Sequence, residues 1–184
     1  MPSMKFEPLT LWFTGLSGAG KTTLAGRVQQ ALSQTQPCFL LDGDEMRQSL
    51  SKDLGFSPSD RAENVRRAAA VSRMLNDQGI LVCVALISPH AVHRAEAARV
   101  IGPARFREIY LSASLAVCEA RDVKGLYKKA RAGALGGLTG IDGDYDVPLA
   151  PWMIIDTSAE APLESCDRIL ARLAQSRRGI MQSA

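Results

Sequence analysis

Residues Gly15-Leu16-Ser17-Gly18-Ala19-Gly20-Lys21-Thr22 satisfy the pattern GxxxxGK[ST], and this octapeptide constrains the fold more tightly than any other stretch of the chain. It cradles phosphates where a strand delivers it and a helix leaves it. Both flanks fit. Thr10 to Thr14 (TLWFT) is a short β-rich run, and Lys21 to Ser33 carries apolar residues at helical spacing through Leu24, Val28, Ala31 and Leu32. Glycines let such a loop wrap phosphate oxygens and aim its N–H groups at them, while the helix mouth adds positive potential. Gly15, Ser17, Gly18, Ala19, Gly20, Lys21, Thr22 and Thr23 are therefore the expected ATP-binding set. In such a loop the lysine reaches the β- and γ-phosphates, and the hydroxyl after it serves Mg²⁺.

The rest of the chain alternates in the same way. Cys38 to Leu41 reads as a buried strand stopped by Asp42-Gly43-Asp44, and a short helix is expected over Glu45 to Lys52. Asp60, with Glu63 three residues on, reads as the N-cap of a helix that puts Val65, Ala68, Ser72 and Leu75 on one face and stops near Gly79. Ile80 to Ile87 (ILVCVALI) is apolar without alternation, as a parallel strand buried on both faces should be. A helix over Ala91 to Ile101, a strand over Glu108 to Leu111, a helix over Leu115 to Ala120, a strand near Trp152 to Ile155 and a helix over Leu163 to Ala174 complete the pattern. Alternation of this kind specifies an α/β fold, a parallel β-sheet flanked by helices on both faces in right-handed βαβ units.

The stretch from Arg121 to Ala150 breaks the rhythm, being rich in Gly, Lys and Arg. Loops this long in a compact domain usually serve function, so a lid over approximately 121–150 is expected. The 184 residues suit one domain, 1–184. A net charge of +3 is too small for a nucleic-acid binder but leaves cations for small anionic ligands. Met1 to Pro8 has no apolar h-region, and Ile80 to Ile87 is too short to cross a bilayer. Cys38, Cys83, Cys118 and Cys166 are scattered without a CxxC or a nearby His pair, as reduced thiols would be. These features point to the cytoplasm, with neither membrane nor nucleic acid as partner.

A phosphate loop alone does not separate kinases from GTPases, motors or regulators. No NKxD guanine reader is present, and the strand Ile80 to Ile87 ends in Ser88 rather than in the Asp of a hydrolase-type site. Asp42 and Asp44, at the end of the second strand, are the carboxylates placed near the loop. That arrangement suits a small-molecule kinase, whose second strand orients the acceptor.

From Leu41 the chain reads LDGDEMRQSLSKDLGFSPSDRAENVRR. Together with Ile87-Ser88-Pro89, CEARDVKGLYKKARAG (Cys118 to Gly133) and Thr139-Gly140-Ile141-Asp142, it resembles the adenylyl-sulfate kinase family across nearly its whole length. The resemblance implies transfer of the ATP γ-phosphoryl group to the 3′-hydroxyl of adenylyl sulfate (APS), giving 3′-phosphoadenylyl sulfate (PAPS) and ADP in sulfate activation. It also implies a homodimer and a functional link to ATP sulfurylase. Carried onto this sequence, Asp44 orients or deprotonates the acceptor hydroxyl and shares Mg²⁺ with Thr22, and Lys21 acts on the phosphoryl group. Arg47, Phe56, Arg61, Asn64, Ile87, Ser88, Lys124, Gly137 and Leu138 match positions that contact APS, with Phe56 stacking on its adenine. Family members with a phosphoserine at the position of Ser88 add that residue to the catalytic candidates.

The residues carry physical readings of their own. Arg61 and Asn64, three apart, share a helix face, and arginine forks suit a phosphosulfate. Asp44 also reads as a helix N-cap before Glu45, and Arg66 and Arg67 point elsewhere around their helix. Lys128, Lys129 and Arg131 add charge to the lid. The sequence departs from the family pattern at Leu138, where a Phe usually stacks on the other side of the acceptor adenine, and at Ala134 and Gly136. Loss of that ring is expected to cost about 1 kcal/mol, so Leu138→Phe should tighten APS binding. Gly136-Gly137 suggests a loose lid. The rival readings are another P-loop small-molecule kinase, acting on a nucleoside monophosphate, a sugar acid or shikimate, and a non-catalytic ATP-binding regulator.

Overall fold

A computed structural model describes residues 6–181, with side chains to residue 176; Met1 to Lys5, part of the leader reading, lie outside the described residues. Five strands, β1 (Thr10–Thr14), β2 (Cys38–Asp42), β3 (Leu81–Ala85), β4 (Phe106–Leu111) and β5 (Met153–Ile155), form one parallel sheet in the order β2-β3-β1-β4-β5. Seven helices accompany them: α1 (Lys21–Ser33), α2 (Gly43–Gln48), α3 (Pro58–Asp77), α4 (Ala91–Ile101), α5 (Leu115–Arg121), α6 (Leu126–Arg131) and α7 (Pro162–Met181).

The unbroken apolar strands are explained by two-sided burial. Along β1, Leu11 and Phe13 enter one core cluster with α1 and α7 residues such as Leu24, Val28, Ile169 and Leu173. Trp12, between them, enters a second with Val65, Ala68 and Ala69 of α3 and Ala97 and Ile101 of α4. β3 splits likewise, Leu81, Cys83 and Ala85 to the first cluster and Val82 and Val84 to the second. Alternating side chains that both meet helices leave no face for polar residues. With β3 on one side of β1 and β4 on the other, the phosphate loop leaves the carboxyl end of the central strand, where open α/β sheets bind ligands.

Two helix starts differ from expectation. Asp42, at the end of β2, is the N-cap of α2, its carboxylate accepting from Asp44 N at 2.9 Å. The helix therefore begins at Gly43 rather than Glu45, Asp44 lies in its first turn rather than capping it, and Ser49 to Lys52 fall into turns. α3 is capped by Ser57, whose hydroxyl accepts from Asp60 N at 3.1 Å and donates to Asp60 Oδ2 at 2.7 Å. Pro58 follows at the first helical position, where its fixed φ and missing N–H cost nothing; Asp60 sits in the first turn and accepts from the Ser57 hydroxyl instead of starting the helix. Within 121–150 the chain also forms α6, which its weak periodicity did not announce. Among the described residues no helix is long and apolar enough to cross a membrane, and all four cysteines are free.

Candidate active site

The phosphate loop is held in the shape its glycines permit. Gly18 sits at φ +75°, and a Cβ there would meet the Cys118 carbonyl oxygen at 2.9 Å. Gly20, at φ +93°, turns the chain into α1 without a side-chain cap, leaving the first amides of the helix for a ligand. Lys21 Nζ folds back to donate to Gly15 O at 2.9 Å and Leu16 O at 2.7 Å. Burial of that ammonium, reinforced by Lys124 nearby, pushes its pKa down to about 8. Thr23, two residues further, is exposed.

The end of β2 meets this loop. Thr22 Oγ1 donates to Asp42 Oδ2 at 2.6 Å, so the carboxylate joined directly to the loop hydroxyl is Asp42, a residue outside the expected Mg²⁺ pair of Thr22 and Asp44. Asp44 instead accepts from Lys124 Nζ, both side chains half-exposed. The run DGD signalled Asp42; its shared use as cap and loop partner did not show in the sequence.

Across from the loop, Arg47, Phe56 and Arg61 converge. Phe56 is 66% exposed and so lies outside the core. The Arg47 guanidinium lies 4.3 Å from its centroid and that of Arg61 5.9 Å. Arg47 donates to Gly55 O at 2.6 Å, and Arg61 to Phe56 O at 3.0 Å, Gly137 O at 2.8 Å and Thr139 Oγ1 at 3.3 Å. Both guanidiniums are partly desolvated, which pushes their pKa values down. Asn64 is buried, and its Oδ1 has no hydrogen-bond partner, a cost that a donor from a ligand would lift. Arg66 and Arg67 do point elsewhere, paired with Glu63 and Asp53.

Ile87, half-buried after β3, accepts from Thr14 Oγ1 at 2.7 Å through its carbonyl. Ser88 is only 3% exposed and holds a left-handed φ of 40°. Its hydroxyl accepts from Trp12 Nε1 at 3.0 Å and donates to Thr14 Oγ1 at 3.2 Å. The side chain thus faces the core rather than capping the turn at Pro89. Two residues absent from the sequence reading organise this corner. Arg94, 3% exposed, binds Glu108 Oε1 at 2.6 Å, the carbonyls of Ser88 and Pro89, and Asp146 O at 2.6 Å. Tyr145 OH bonds Thr14 Oγ1 at 2.9 Å and its ring stacks on Tyr110. A lone Arg on a helix and a Tyr in a loop carry no spacing that would single them out.

On the returning segment, Gly137 N donates to Asp142 Oδ2 at 2.7 Å while its carbonyl takes Arg61, so the glycine pair is pinned at its second member. Leu138 departs from expectation. It is 6% exposed and belongs to the core cluster on the α1 side of the sheet. A tight turn, with Ile141, Asp142 and Gly143 amides all donating to its carbonyl, holds it there. It offers no open slab for an adenine. Lys128 and Lys129 are exposed, and Arg131 is spent on Glu119 at 2.7 Å.

The carboxylates of Asp42 and Asp44 therefore lie near Lys21 of the phosphate loop, and that of Asp44 also near the guanidinium of Arg47 on α2, which shares Phe56 with Arg61 on α3. Comparison with known proteins agrees with that geometry. The sequence model of adenylylsulphate kinase matches residues 7–156. The chain belongs to the adenylyl-sulfate kinase family. An adenylyl-sulfate kinase of Erwinia tasmaniensis is 54% identical over 140 residues, 76% of this chain and 70% of that one. One from Geotalea daltonii is 46% identical over 167 residues, 90% and 82% of the two chains. The Mycobacterium tuberculosis APS kinase CysC, solved in complex with AMPPNP and APS, superposes with a TM-score of 0.87 at 43% identity, covering 91% of this chain and 98% of that one. The membership fixes a phosphotransferase with the parallel-sheet P-loop kinase fold.

The donors around Thr22 fit Mg²⁺. They are hard oxygens, a hydroxyl and the carboxylates of Asp42 and Asp44, and among the described residues no cluster of three or more His, Cys, Asp or Glu could hold a metal alone. Mg²⁺ is held in this way, by one or two carboxylates completed by substrate phosphates.

Proposed function

We propose that the protein transfers the γ-phosphoryl group of Mg·ATP directly to the 3′-hydroxyl of APS. The observation that carries this reading is the continuity of the site: Thr22 on Asp42, and Lys124 on Asp44 two residues later, join the phosphate loop to the acceptor pocket. The amides of the loop and Lys21 hold the phosphates, and Mg²⁺, held by Thr22 with Asp42 and Asp44, supplies charge neutralisation on the phosphate oxygens. Arg47, Arg61 and Asn64 bind APS, Phe56 stacks on its adenine, and Ile87, Ser88 and Gly137 shape the pocket wall. Asp44 turns from Lys124 to the acceptor hydroxyl, orients it and takes its proton as the oxygen–phosphorus bond forms and ADP leaves. Because phosphoryl transfer has a loose transition state, positioning and electrostatics account for most of the rate. The exposed Lys124–Asp44 pair is weak, on the order of 0–1 kcal/mol, so APS displaces it readily and its phosphosulfate recruits Lys124.

The segment 121–150 acts as the lid that excludes water during transfer, pulled down by Arg61 on Gly137 and Thr139. We further propose a cytoplasmic homodimer that receives APS from an ATP sulfurylase. A coupled assay of ADP release with and without APS, run beside nucleoside monophosphates, gluconate and shikimate, tests the central claim. Turnover confined to APS is expected, and equal turnover with another acceptor overturns it.

A further inference from the structure

The carbonyls of the phosphate loop are tied down one after another by side chains from outside it. Ser17 O accepts from Tyr127 OH of α6 at 2.9 Å, a bond buried at both ends. Gly18 O accepts from Arg121 Nη1, at the end of α5, at 3.2 Å. Ala19 O accepts from Thr157 Oγ1, in the loop after β5, at 2.9 Å. The ties support one another: Arg121 also donates to Thr157 Oγ1 at 3.1 Å and to Thr157 O at 2.6 Å. Asp122 fixes α6 by accepting from Tyr127 N at 3.1 Å and Lys128 N at 3.0 Å, which turns Tyr127 inward. With Lys21 on Gly15 O and Leu16 O, five consecutive carbonyls are accounted for.

In a trans peptide the N–H points opposite to the preceding C=O. A carbonyl held from outside therefore aims the next amide inward. Ser17 O fixes Gly18 N–H, and Ala19 O fixes Gly20 N–H; the amide between them, Ala19 N–H, closes the loop on Leu16 O at 3.1 Å. Glycines alone permit this conformation but do not select it, since they also populate many others. We propose that Tyr127, Arg121 and Thr157 are positioning residues that hold the phosphate loop in its ATP-binding form by clamping the carbonyls of Ser17, Gly18 and Ala19. Tyr127 is the member that ties the first part of the lid to the loop. The inference rests on the reading of this loop as the ATP site.

The test uses the full-length protein and the variants Tyr127→Phe, Thr157→Val and Thr157→Ser. The first two delete one hydroxyl each with little change of shape, and the third restores it. Titration with Mg·ATP in the absence of APS should show Tyr127→Phe and Thr157→Val each weakening binding about fivefold, as loss of one such bond predicts. The KM for APS should stay within about twofold of wild type, Thr157→Ser should bind Mg·ATP as wild type does, and hydrogen exchange at the Gly18 and Gly20 amides should quicken in the first two variants while β3 is unchanged. The proposal is overturned if both variants bind Mg·ATP like wild type, if the KM for APS rises as much as Mg·ATP binding weakens, or if Thr157→Ser fails as Thr157→Val does. Wild-type protein that does not bind Mg·ATP at all would remove the ATP reading itself, and this inference with it.

Discussion

Thr22 Oγ1 reaches Asp42 Oδ2 at 2.6 Å, joining the first turn of α1 to the last residue of β2. The contact places a carboxylate beside the hydroxyl proposed to serve the nucleotide's cation. Asp42→Asn separates its two jobs. Asparagine caps helices as well as aspartate does, so α2 keeps its start, whereas the charge is lost. The variant is expected to keep its melting temperature, to need about tenfold more Mg²⁺ for half-maximal rate, and to lose about tenfold in kcat. A titration of rate against Mg²⁺ at saturating ATP checks this; an unchanged requirement would assign the cation to Asp44 and Thr22 without Asp42.

Lys21 gives the site a pH signature. In the ligand-free protein its pKa is pushed down to about 8, first by burial and then by Lys124. Its folded value therefore lies below its unfolded one, and between the two the unfolded chain holds more protons. This residue's contribution to stability thus rises with pH across that window. Bound phosphates favour the ammonium, so ATP binding above about pH 8 must take up a proton and weaken as pH rises. Calorimetry in buffers of different ionisation enthalpy should find proton uptake at about pH 9 and little at about pH 7. Equal uptake at both pH values excludes Lys21 as its source.

Local periodicity was the legible part of this molecule. The bounds of β1, α1 and α4 match those expected from the sequence, and the unbroken run of β3 announced two-sided burial. Where polar residues cluster, the sequence offers several caps and only tertiary packing chooses. DGDE began its helix one cap earlier than read, and SPSD used Ser57 because Pro58 takes the first helical position. In the site, residues within one motif could be grouped in advance. The ties that assemble it span the chain: Arg61 to Gly137 over 76 residues, Tyr127 to Ser17 over 110. No periodicity encodes such pairs. Leu138 misled for a related reason, since a position matched to an exposed aromatic in the family pattern is here filled by a smaller apolar residue that the core absorbs.

Phe56 and Leu138 should now behave as opposites. Phe56 is exposed and lies beneath the Arg47 guanidinium, so Phe56→Ala should leave the melting temperature almost unchanged and raise the KM for APS about tenfold. Leu138→Phe forces a larger side chain into a packed cluster. It should cost about 1–3 kcal/mol of stability without tightening APS. Thermal melts and APS titrations of the two variants together decide the matter; a stable Leu138→Phe protein with tighter APS binding would return residue 138 to the adenine.

Ser88 provides the sharpest separation between direct transfer and a phosphoenzyme. Its hydroxyl is buried, receives Trp12 Nε1 and gives its proton to Thr14 Oγ1, which in turn donates to Ile87 O. A nucleophile needs a base to take that proton and room for an in-line phosphate; here the neighbouring acceptors are a threonine hydroxyl and the Leu86 carbonyl. Ser88→Ala leaves Trp12 Nε1 without its acceptor and should cost about 1–3 kcal/mol of stability. Its kcat should fall by less than about tenfold, since general disturbance of the pocket wall is all that is lost. Incubation of wild-type protein with Mg·ATP alone should add no phosphoryl group to the intact mass. A stoichiometric phosphoserine at position 88 that passes its phosphoryl group to APS on addition would replace direct transfer with a two-step route.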